Sequence, residues 1–424
     1  MSGPPWLVPR TAYVHVPFCA HHCGYCDFAV TAGNDHLIDL YLEALAAELG
    51  TLGAPREVES LFIGGGTPTH LNPDQLARLL RTINAWLPLQ GQGARGKGQS
   101  RGAGHGARGE RAEPFSLAPR PSPLAPTLPH APEYSSEANP DSLTEEKVAV
   151  LAAFGVNRVS IGVQSFRAPA LAALERAHTG DHVSRAADAV RKHIANVSFD
   201  LIFGAPGTTL SDWDADLSAA LALGPNHVST YGLTYEKGTP LWKRRERSQL
   251  VPASEDDELA MYELAMDRLT AAGFAHYEIS NFARPGGRCR HNERYWANDA
   301  YFGFGVGAAR YVNGARELNV RDTKLYIRKA LAGEPTTFQR EELAPRARAF
   351  ETMATQLRRA EGIVRADFVA RTGFELDALV PTALALLRDT GCTTDTGDAV
   401  FLTRRGKCVA DAAVAELLKY NAEH

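Results

Sequence analysis

The sequence predicts an α/β fold, with a partial parallel (β/α)6 barrel of TIM type and a small, mostly α C-terminal domain of winged-helix type. Strand and helix patterns alternate up to about residue 300, as is typical of βα units around a parallel sheet. Beyond that point the alternation stops and helical patterns dominate. Two loops, one rich in Cys and one in Gly, follow strand patterns directly, where such folds bind their ligands. We therefore expect a barrel over residues 1–300 and a second domain over residues 301–424.

Composition and charge exclude several classes of protein. Hydrophobic residues make up 44% and charged residues 22% of the 424 residues, which is ordinary for a protein with a large core. The formal net charge of −4 favours neither nucleic acid nor an anionic membrane. No apolar run reaches the roughly 18 residues of a membrane span, and residues 1–12 lack the pattern of a signal peptide. Six cysteines are too few for a disulfide scaffold. We expect a reduced, cytoplasmic protein that binds no nucleic acid and spans no membrane.

The individual elements follow from apolar periodicity and from turn residues. A helix is predicted to begin at Pro73, because proline suits the first helical turn. The predicted strands are 12–16, 60–63, 133–138, 158–163, 197–203 and 227–233. The predicted barrel helices are 35–49, 73–86, 144–154, 169–177, 184–193, 210–223 and 254–272. The second domain is predicted to contain helices at 341–359, 375–388 and 406–419 and a hairpin at 392–402.

Residues 91–132 interrupt this order. Eight of these 42 residues are Gly and seven are Pro, and the segment shows no apolar periodicity. Six Lys or Arg against two Glu give it a charge of +4. Such a segment cannot bury enough apolar surface to fold, so we predict a disordered insertion in a crossover of the barrel. The alternative is a basic tether for an acidic partner.

Three cysteines, Cys19, Cys23 and Cys26, lie on the first loop with the spacing CxxxCxxC. Thiolates this close in sequence can converge on one inorganic centre. One interpretation is a zinc site, although zinc sites usually show two separated cysteine pairs and no second pair is present. The fourth ligand of such a zinc site would be His15, His21 or His22. The other interpretation is a four-iron cluster with one open iron that can hold a substrate.

Separated motifs along the chain resemble those of the radical SAM superfamily, in the branch that holds oxygen-independent coproporphyrinogen III oxidases and the HemW heme chaperones. These motifs occur in the same order over roughly residues 12–310, with only the insertion 91–132 foreign to the pattern. The matching segments are YVHVPFCAHHCGYCDF at 13–28, FIGGGTP at 62–68, EANP at 137–140, NRVSIGVQSF at 157–166, DLIFG at 200–204 and YEISNFA at 277–283.

The resemblance implies cofactors and the residues that hold them. In this superfamily three cysteines hold a 4Fe–4S cluster, and S-adenosylmethionine (SAM) chelates the open iron. The glycine loop would line the methionine end of SAM, because glycine lets backbone groups approach a ligand closely. The alternative for these glycines is a tight strand-to-helix turn. The residues that match SAM-contact positions are Tyr13, Tyr25, Gly65, Gly66, Thr67, Glu137, Gln164, Arg176 and Asp200.

Two features separate the chaperones from the oxidases of this branch. The oxidases carry a further cysteine two residues after the third one, where this chain has Phe28, and a longer N-terminal segment. The second feature, His291-Asn292-x-x-Tyr295-Trp296, resembles the HNxxYW motif of the chaperone branch, which is associated with heme. A neutral imidazole can ligate heme iron, so His291 is the predicted heme ligand. Cys289 is a second ligand, a thiol attached to heme, or an inert buried thiol.

The resemblance therefore implies a heme chaperone that carries the cluster and SAM and transfers heme to an acceptor protein. A membrane-bound respiratory heme protein is the expected acceptor, and exchange between monomer and dimer is expected. Arg290 and Arg294 would pair with the heme propionates. The alternative function is oxygen-independent coproporphyrinogen III oxidation, and a third is radical SAM chemistry on another substrate.

Overall fold

The computed structural model describes residues 4–91 and 132–421. The predicted insertion 91–132 therefore lies outside the described residues, except for its two end residues. The strands, in chain order, are β1 (Thr11–Val16), β2 (Phe18–Cys19), β3 (Thr31–Ala32), β4 (Ser60–Gly65), β5 (Glu133–Ala138), β6 (Arg158–Gln164), β7 (Asn196–Phe203), β8 (His227–Gly232), β9 (Ala275–His276), β10 (Asn281–Ala283), β11 (Phe302–Phe304), β12 (Ala309–Val312), β13 (Ala315–Asn319), β14 (Thr337–Glu342), β15 (Ile363–Val364), β16 (Thr393–Asp395) and β17 (Ala399–Leu402).

The α-helices alternate with these strands in the first part of the chain and cluster at its end. They are α1 (Ile38–Gly50), α2 (Pro73–Trp86), α3 (Glu145–Ala153), α4 (Ala168–Ala173), α5 (Gly180–Arg191), α6 (Leu210–Ala222), α7 (Pro240–Glu246), α8 (Glu255–Ala271), α9 (Arg290–Trp296), α10 (Thr323–Leu331), α11 (Pro345–Gln356), α12 (Arg365–Thr372), α13 (Leu376–Leu379), α14 (Pro381–Asp389), α15 (Arg404–Cys408) and α16 (Ala410–Leu418).

One large sheet forms the partial barrel, with the strand order β11-β1-β4-β5-β6-β7-β8-β10-β9. All neighbours from β11 to β8 are parallel, whereas β8, β10 and β9 pair antiparallel. The two end strands of this order do not pair with each other, so the barrel is open. The six βα units expected from the sequence, those of β1 and β4 to β8, are confirmed. Parallel pairing brings the carboxyl ends of these strands to one edge of the barrel.

Local chemistry explains where the predicted helices begin and end. The prediction 73–86 is confirmed, because Asn72 and Gln75 form a reciprocal capping box around Pro73. The helix predicted at 184–193 begins four residues earlier, since Thr179 caps it together with His182. The helix predicted at 169–177 ends at Ala173, and Glu175 lies just beyond in the left-handed region at φ 58°.

The region after residue 300 contains more β-structure than predicted. Strand β11 joins the barrel sheet beside β1, and β12, β13 and β14 form a separate antiparallel sheet. These strands are short and contain several charged residues, so their apolar periodicity is weak. The side chains of α10 still pack in the barrel core, and a second hydrophobic cluster begins only at Ala349. The predicted boundary at 300 stays a prediction, but the change of core occurs between Ala330 and Ala349.

The C-terminal region consists of α11 to α16 around a three-stranded sheet, β15-β17-β16. The hairpin predicted at 392–402 is confirmed, with β16 and β17 antiparallel and Gly397 at φ 85° in the turn. The helix predicted at 375–388 is interrupted at Val380, because Pro381 follows and starts α14. The helix predicted at 406–419 is split at Val409 into α15 and α16. The mostly helical composition is confirmed, and the winged-helix type stays a prediction.

Across residues 4–91 and 132–421, no helix is both long and apolar enough to cross a membrane.

Candidate functional site

A large cavity of about 820 Å³ opens at the carboxyl ends of the barrel strands. Every residue that the sequence assigned to the cluster or to SAM lines it. They are Tyr13, Cys19, Cys23, Tyr25, Cys26, Gly65, Gly66, Thr67, Glu137, Gln164, Arg176 and Asp200. Pockets for drug-sized ligands measure about 300–1,000 Å³, so this volume is sufficient for a cofactor of the size of SAM.

The cysteine loop leaves the barrel directly after β1 and returns beside it. Its two ends are joined by β2 and β3, which pair in parallel through Phe18 with Thr31 and Cys19 with Ala32. Inside the loop the backbone N–H of Cys26 donates to the carbonyl oxygen of Cys23 at 3.2 Å. Because both ends are fixed, the three thiols stay together on one wall of the large cavity.

Burial keeps the Cys19 and Cys26 thiols protonated until a metal binds. It raises the pKa of Cys19 to about 12 and that of Cys26 to about 11. Among the residues that the structure describes, no three His, Cys, Asp or Glu side chains are grouped closely enough to hold a single metal ion. A 4Fe–4S cluster makes a different demand, because each thiolate binds its own iron. Each of the three thiols on this wall could therefore bind one iron of such a cluster.

A chain of hydrogen bonds connects two of the three thiols. The Thr67 hydroxyl lies 3.6 Å from Cys19 Sγ and accepts from Asn139 Nδ2 at 3.0 Å. Asn139 Oδ1 in turn accepts from Arg176 Nη2 at 2.8 Å, and Arg176 Nη1 lies 3.4 Å from Cys23 Sγ. A guanidinium this close to sulfur stabilises a thiolate. Sequence analysis did not select Asn139, although it stands two residues after Glu137 in the same strand-end motif.

The glycine loop packs so tightly that side chains are excluded. A Cβ on Gly65, which lies at φ 103°, would be 2.3 Å from the ring of His15. A Cβ on Gly66 would be 2.7 Å from the carbonyl oxygen of Val16, and one on Gly64 would be 2.7 Å from the Glu137 carboxyl. The turn is therefore tight, and Gly65 and Gly66 also line the large cavity, so their contact with SAM stays a prediction.

Two carboxyl groups lie at the centre of the barrel. Burial raises the pKa of Glu137 to about 8, although the N–H of Gly65 donates to Oε2 at 2.9 Å. Burial also raises the pKa of Asp200, and the hydroxyls of Ser229 and Ser160, which donate at 2.7 and 2.9 Å, oppose that rise. Both groups would ionise more readily beside a bound cation, such as the amino group of SAM.

The remaining predicted SAM contacts lie around these carboxyls. Tyr25 packs on an apolar cluster formed by Leu174, Ile202, Ala205, Leu233 and Leu241. Gln164 is buried and lies in the left-handed region at φ 60°, where the register between β6 and β7 shifts. The hydroxyl of Tyr13 lies 3.0 Å from Nδ1 of His15.

The HNxxYW segment forms α9, and His291 lies inside the barrel. Its side chain borders a small chamber of about 270 Å³, and its ring stacks on Phe62 with a centroid distance of 5.1 Å. Nε2 lies 2.9 Å from the hydroxyl of Tyr295, whereas Nδ1 is buried without a hydrogen-bond partner. Burial lowers the pKa of His291 to about 3, so the imidazole is neutral.

The small chamber adjoins the large cavity. The residues that line both spaces are Tyr13, Phe28, Glu137, Ser160, Asp200 and Tyr231. Of these, Phe28 is 63% exposed and lies beside the cysteine loop. The small chamber also reaches the first residues of β6 and β8, Arg158 and His227.

Other residues of α9 are bound within the protein. Arg294 forms ion pairs with Glu59 at 2.6 Å and with Asp299 at 3.0 Å, so its predicted role toward propionates competes with two carboxylates. The ring of Tyr295 packs 4.5 Å from that of Tyr301. Trp296 lies under the guanidinium of Arg358. These contacts hold α9 against the barrel and the C-terminal region.

Comparisons with known proteins agree with this geometry. The radical SAM superfamily model matches residues 13–220, and the model of the HemN C-terminal domain matches residues 343–409. Heme chaperone HemW of Bacillus subtilis (strain 168) is 34% identical over 416 residues, which cover 96% of this chain and 99% of that protein. Heme chaperone HemW of Mycobacterium tuberculosis (strain ATCC 25618 / H37Rv) is 37% identical over 430 residues, which cover 99% of this chain and 96% of that protein.

The chain belongs to the HemW family. Among solved structures, coproporphyrinogen III oxidase (HemN) from Escherichia coli is similar, with a TM-score of 0.77 and 20% identity over 97% of this chain and 90% of that one. That likeness shows a shared fold. Membership of the HemW family within the radical SAM superfamily implies a 4Fe–4S cluster and SAM, and confirms the family predicted from the motifs.

Proposed function

We propose that this member of the HemW family binds heme and passes it to an acceptor protein. The observation that carries the proposal is the state of His291. Its imidazole is neutral and fully buried, the residue lines the small chamber, and Nδ1 has no hydrogen-bond partner. Heme iron takes neutral imidazole nitrogen as an axial ligand. The relatives named heme chaperones support the same function.

The cofactors would occupy the large cavity. Cys19, Cys23 and Cys26 would hold the 4Fe–4S cluster, and in this superfamily the cluster, once reduced, supplies an electron to bound SAM. Arg176 would stabilise the Cys23 thiolate from 3.4 Å. Glu137 and Asp200 would face the cationic amino and ribosyl side of SAM from the barrel centre. Tyr25 would border the adenine from the apolar cluster.

The porphyrin needs more room than the small chamber offers. A volume of about 270 Å³ is below the roughly 300–1,000 Å³ of pockets for drug-sized ligands. A heme bound through His291 would therefore extend through the shared wall into the large cavity or displace the aromatic rings around His291. Phe28 and Tyr231 belong to that shared wall, and they would contact the apolar face of the macrocycle.

Coproporphyrinogen III oxidation is the second candidate. The similarity in fold to HemN favours it, because the barrel and the C-terminal region both align. Phe28 argues against it, since this exposed phenylalanine stands where the oxidases carry an additional cysteine. The chaperone function therefore accounts for both Phe28 and the HNxxYW segment, whereas the oxidase function accounts for neither.

The test is heme uptake followed by transfer. The anaerobically reconstituted protein is loaded with heme, freed of excess ligand and mixed with an apo-globin as acceptor. The proposal predicts uptake at micromolar heme and appearance of the globin Soret spectrum. A parallel reaction supplies coproporphyrinogen III, SAM and a reductant. Failure to bind heme, together with formation of protoporphyrinogen, would replace the chaperone function with the oxidase function.

A further inference from the structure

Arg158 is the largest side chain that the barrel buries completely, with 2% of the residue exposed. It is the first residue of β6 and borders the small chamber. Nη1 donates to the carbonyl oxygen of Gly287 at 3.1 Å, and Nε is buried without a hydrogen-bond partner. A guanidinium stays charged in proteins, and a buried charge is costly unless an opposite charge binds it directly.

The acidic groups around Arg158 do not bind it directly. The charge of Glu133 acts on Arg158, but the oxygens of Glu133 accept from the backbone N–H groups of Arg290 and His291 and from the Cys289 thiol. Asp200 accepts from two serine hydroxyls, and burial raises its pKa. Glu133 and Asp200 therefore moderate the charge of Arg158 without forming an ion pair with it, and Nε stays without a hydrogen-bond partner.

Other titratable groups line the small chamber with Arg158, and Asp200 is one of them. Burial raises the pKa of Glu137 to about 8 and lowers the pKa of His227 well below its usual value. The small chamber thus contains one buried guanidinium that forms no ion pair with these groups and whose Nε has no hydrogen-bond partner.

We propose that the small chamber is a carboxylate-binding site, with the guanidinium of Arg158 as its anchoring group. A carboxylate matches the planar fork of a guanidinium and forms strong charge-assisted hydrogen bonds with it. About 270 Å³ accommodates one such group, and the ligand enters through the large cavity that shares its wall. The carboxylate is a heme propionate or a free small carboxylate. Binding of a heme propionate rests on the proposed function.

The experiment compares heme with heme dimethyl ester, in which both carboxylates are blocked. Affinities are measured by anaerobic Soret titration for the wild-type protein, Arg158→Gln and the matched control Arg284→Gln, whose guanidinium stacks on Phe274 and lines neither space. In the wild type and the control we expect heme to bind about tenfold more tightly than the ester. In Arg158→Gln we expect the two ligands to bind within about twofold, with ester affinity unchanged.

A second arm distinguishes the source of the carboxylate. Sodium propionate is compared with sodium chloride at equal ionic strength in thermal unfolding of the wild type and Arg158→Gln. In one outcome, propionate raises the Tm of the wild type but not of Arg158→Gln while the wild type binds heme and its ester equally. That result assigns the site to a free small carboxylate. If neither the wild type nor its variants bind heme, the proposed function fails. The propionate comparison then still tests whether Arg158 binds a carboxylate. Equal heme and ester affinities in the wild type, with no effect of propionate, overturn the inference even if Arg158→Gln does not fold.

Discussion

The carboxyl group of Glu137 accepts a hydrogen bond of 2.9 Å from the backbone N–H of Gly65, and this contact joins the ends of β4 and β5. It places a buried carboxyl beside the glycine loop, at the point where the loop faces the cysteines. Because Gly64 has no side chain, Glu137 can approach the backbone of β4 directly. The glycines and the glutamate are therefore parts of one structural unit.

The raised pKa of Glu137 makes the free energy of unfolding depend on pH. Its pKa is about 8 in the folded protein, whereas the unfolded chain ionises near 4.5. Above pH 4.5 the folded state keeps a proton that the unfolded state has released, so rising pH lowers stability until pH 8. Glu137→Gln removes this group. Between pH 5 and pH 8 we expect the free energy of unfolding of the wild type to fall by about 1.4 kcal/mol or more relative to that of the variant.

The measurement is denaturant unfolding of the cofactor-free protein at pH 5, 6.5 and 8. Glu334→Gln, at an exposed glutamate near Lys329, serves as the control. A constant difference between Glu137→Gln and the wild type over this range would show that Glu137 ionises normally.

Strain at Gly65 provides a second prediction. Gly65→Ala places a Cβ 2.3 Å from the His15 ring at a φ of 103°, so strain and overpacking act together. We expect a loss of about 2–4 kcal/mol in the free energy of unfolding. Gly207→Ala is the matched control, because Gly207 has a φ of 77° but nothing within 4 Å of the added Cβ. That variant should lose only about 1–2 kcal/mol, and equal losses in urea unfolding would contradict the close packing.

Iron content tests the assignment of the cysteines. Cys26→Ala removes one of the three thiols that line the large cavity, and we expect iron and sulfide to fall from about four per chain to background. Cys408→Ser changes a half-buried thiol in the C-terminal region and should retain full iron content. Chemical analysis of iron and sulfide after anaerobic reconstitution measures both. Full iron in Cys26→Ala would mean that another residue holds the metal.

Sequence reasoning succeeded where one segment carries its own signal. The apolar run at 60–63 predicts strand β4, and Pro73 predicts the start of α2. The cysteine and glycine loops were assigned to the site because each follows a strand, and parallel pairing of β1 with β4 brings them together. Residue type and strand order were sufficient for that part of the site.

Other features depend on contacts between distant segments. Arg158 stands in the motif at 157–166, but its position at the small chamber follows only from the convergence of the barrel with α9. Asn139 connects Thr67 to Arg176 across separate loops. The ion pairs of Arg294 with Glu59 and Asp299 could not be predicted from the sequence either. For that reason Arg294 was predicted to pair with heme propionates. Side-chain partners of this kind are set by tertiary packing, which local patterns do not encode.

A Soret titration of heme into the anaerobically reconstituted protein tests the central claim most directly. It compares the wild type with His291→Ala and with His276→Ala, a half-buried histidine that stacks on Phe282 and lines neither space. We predict saturation near one heme per chain in the wild type and the control, and an affinity about tenfold lower with a shifted Soret band in His291→Ala. Heme binding that is unchanged in His291→Ala would contradict the account.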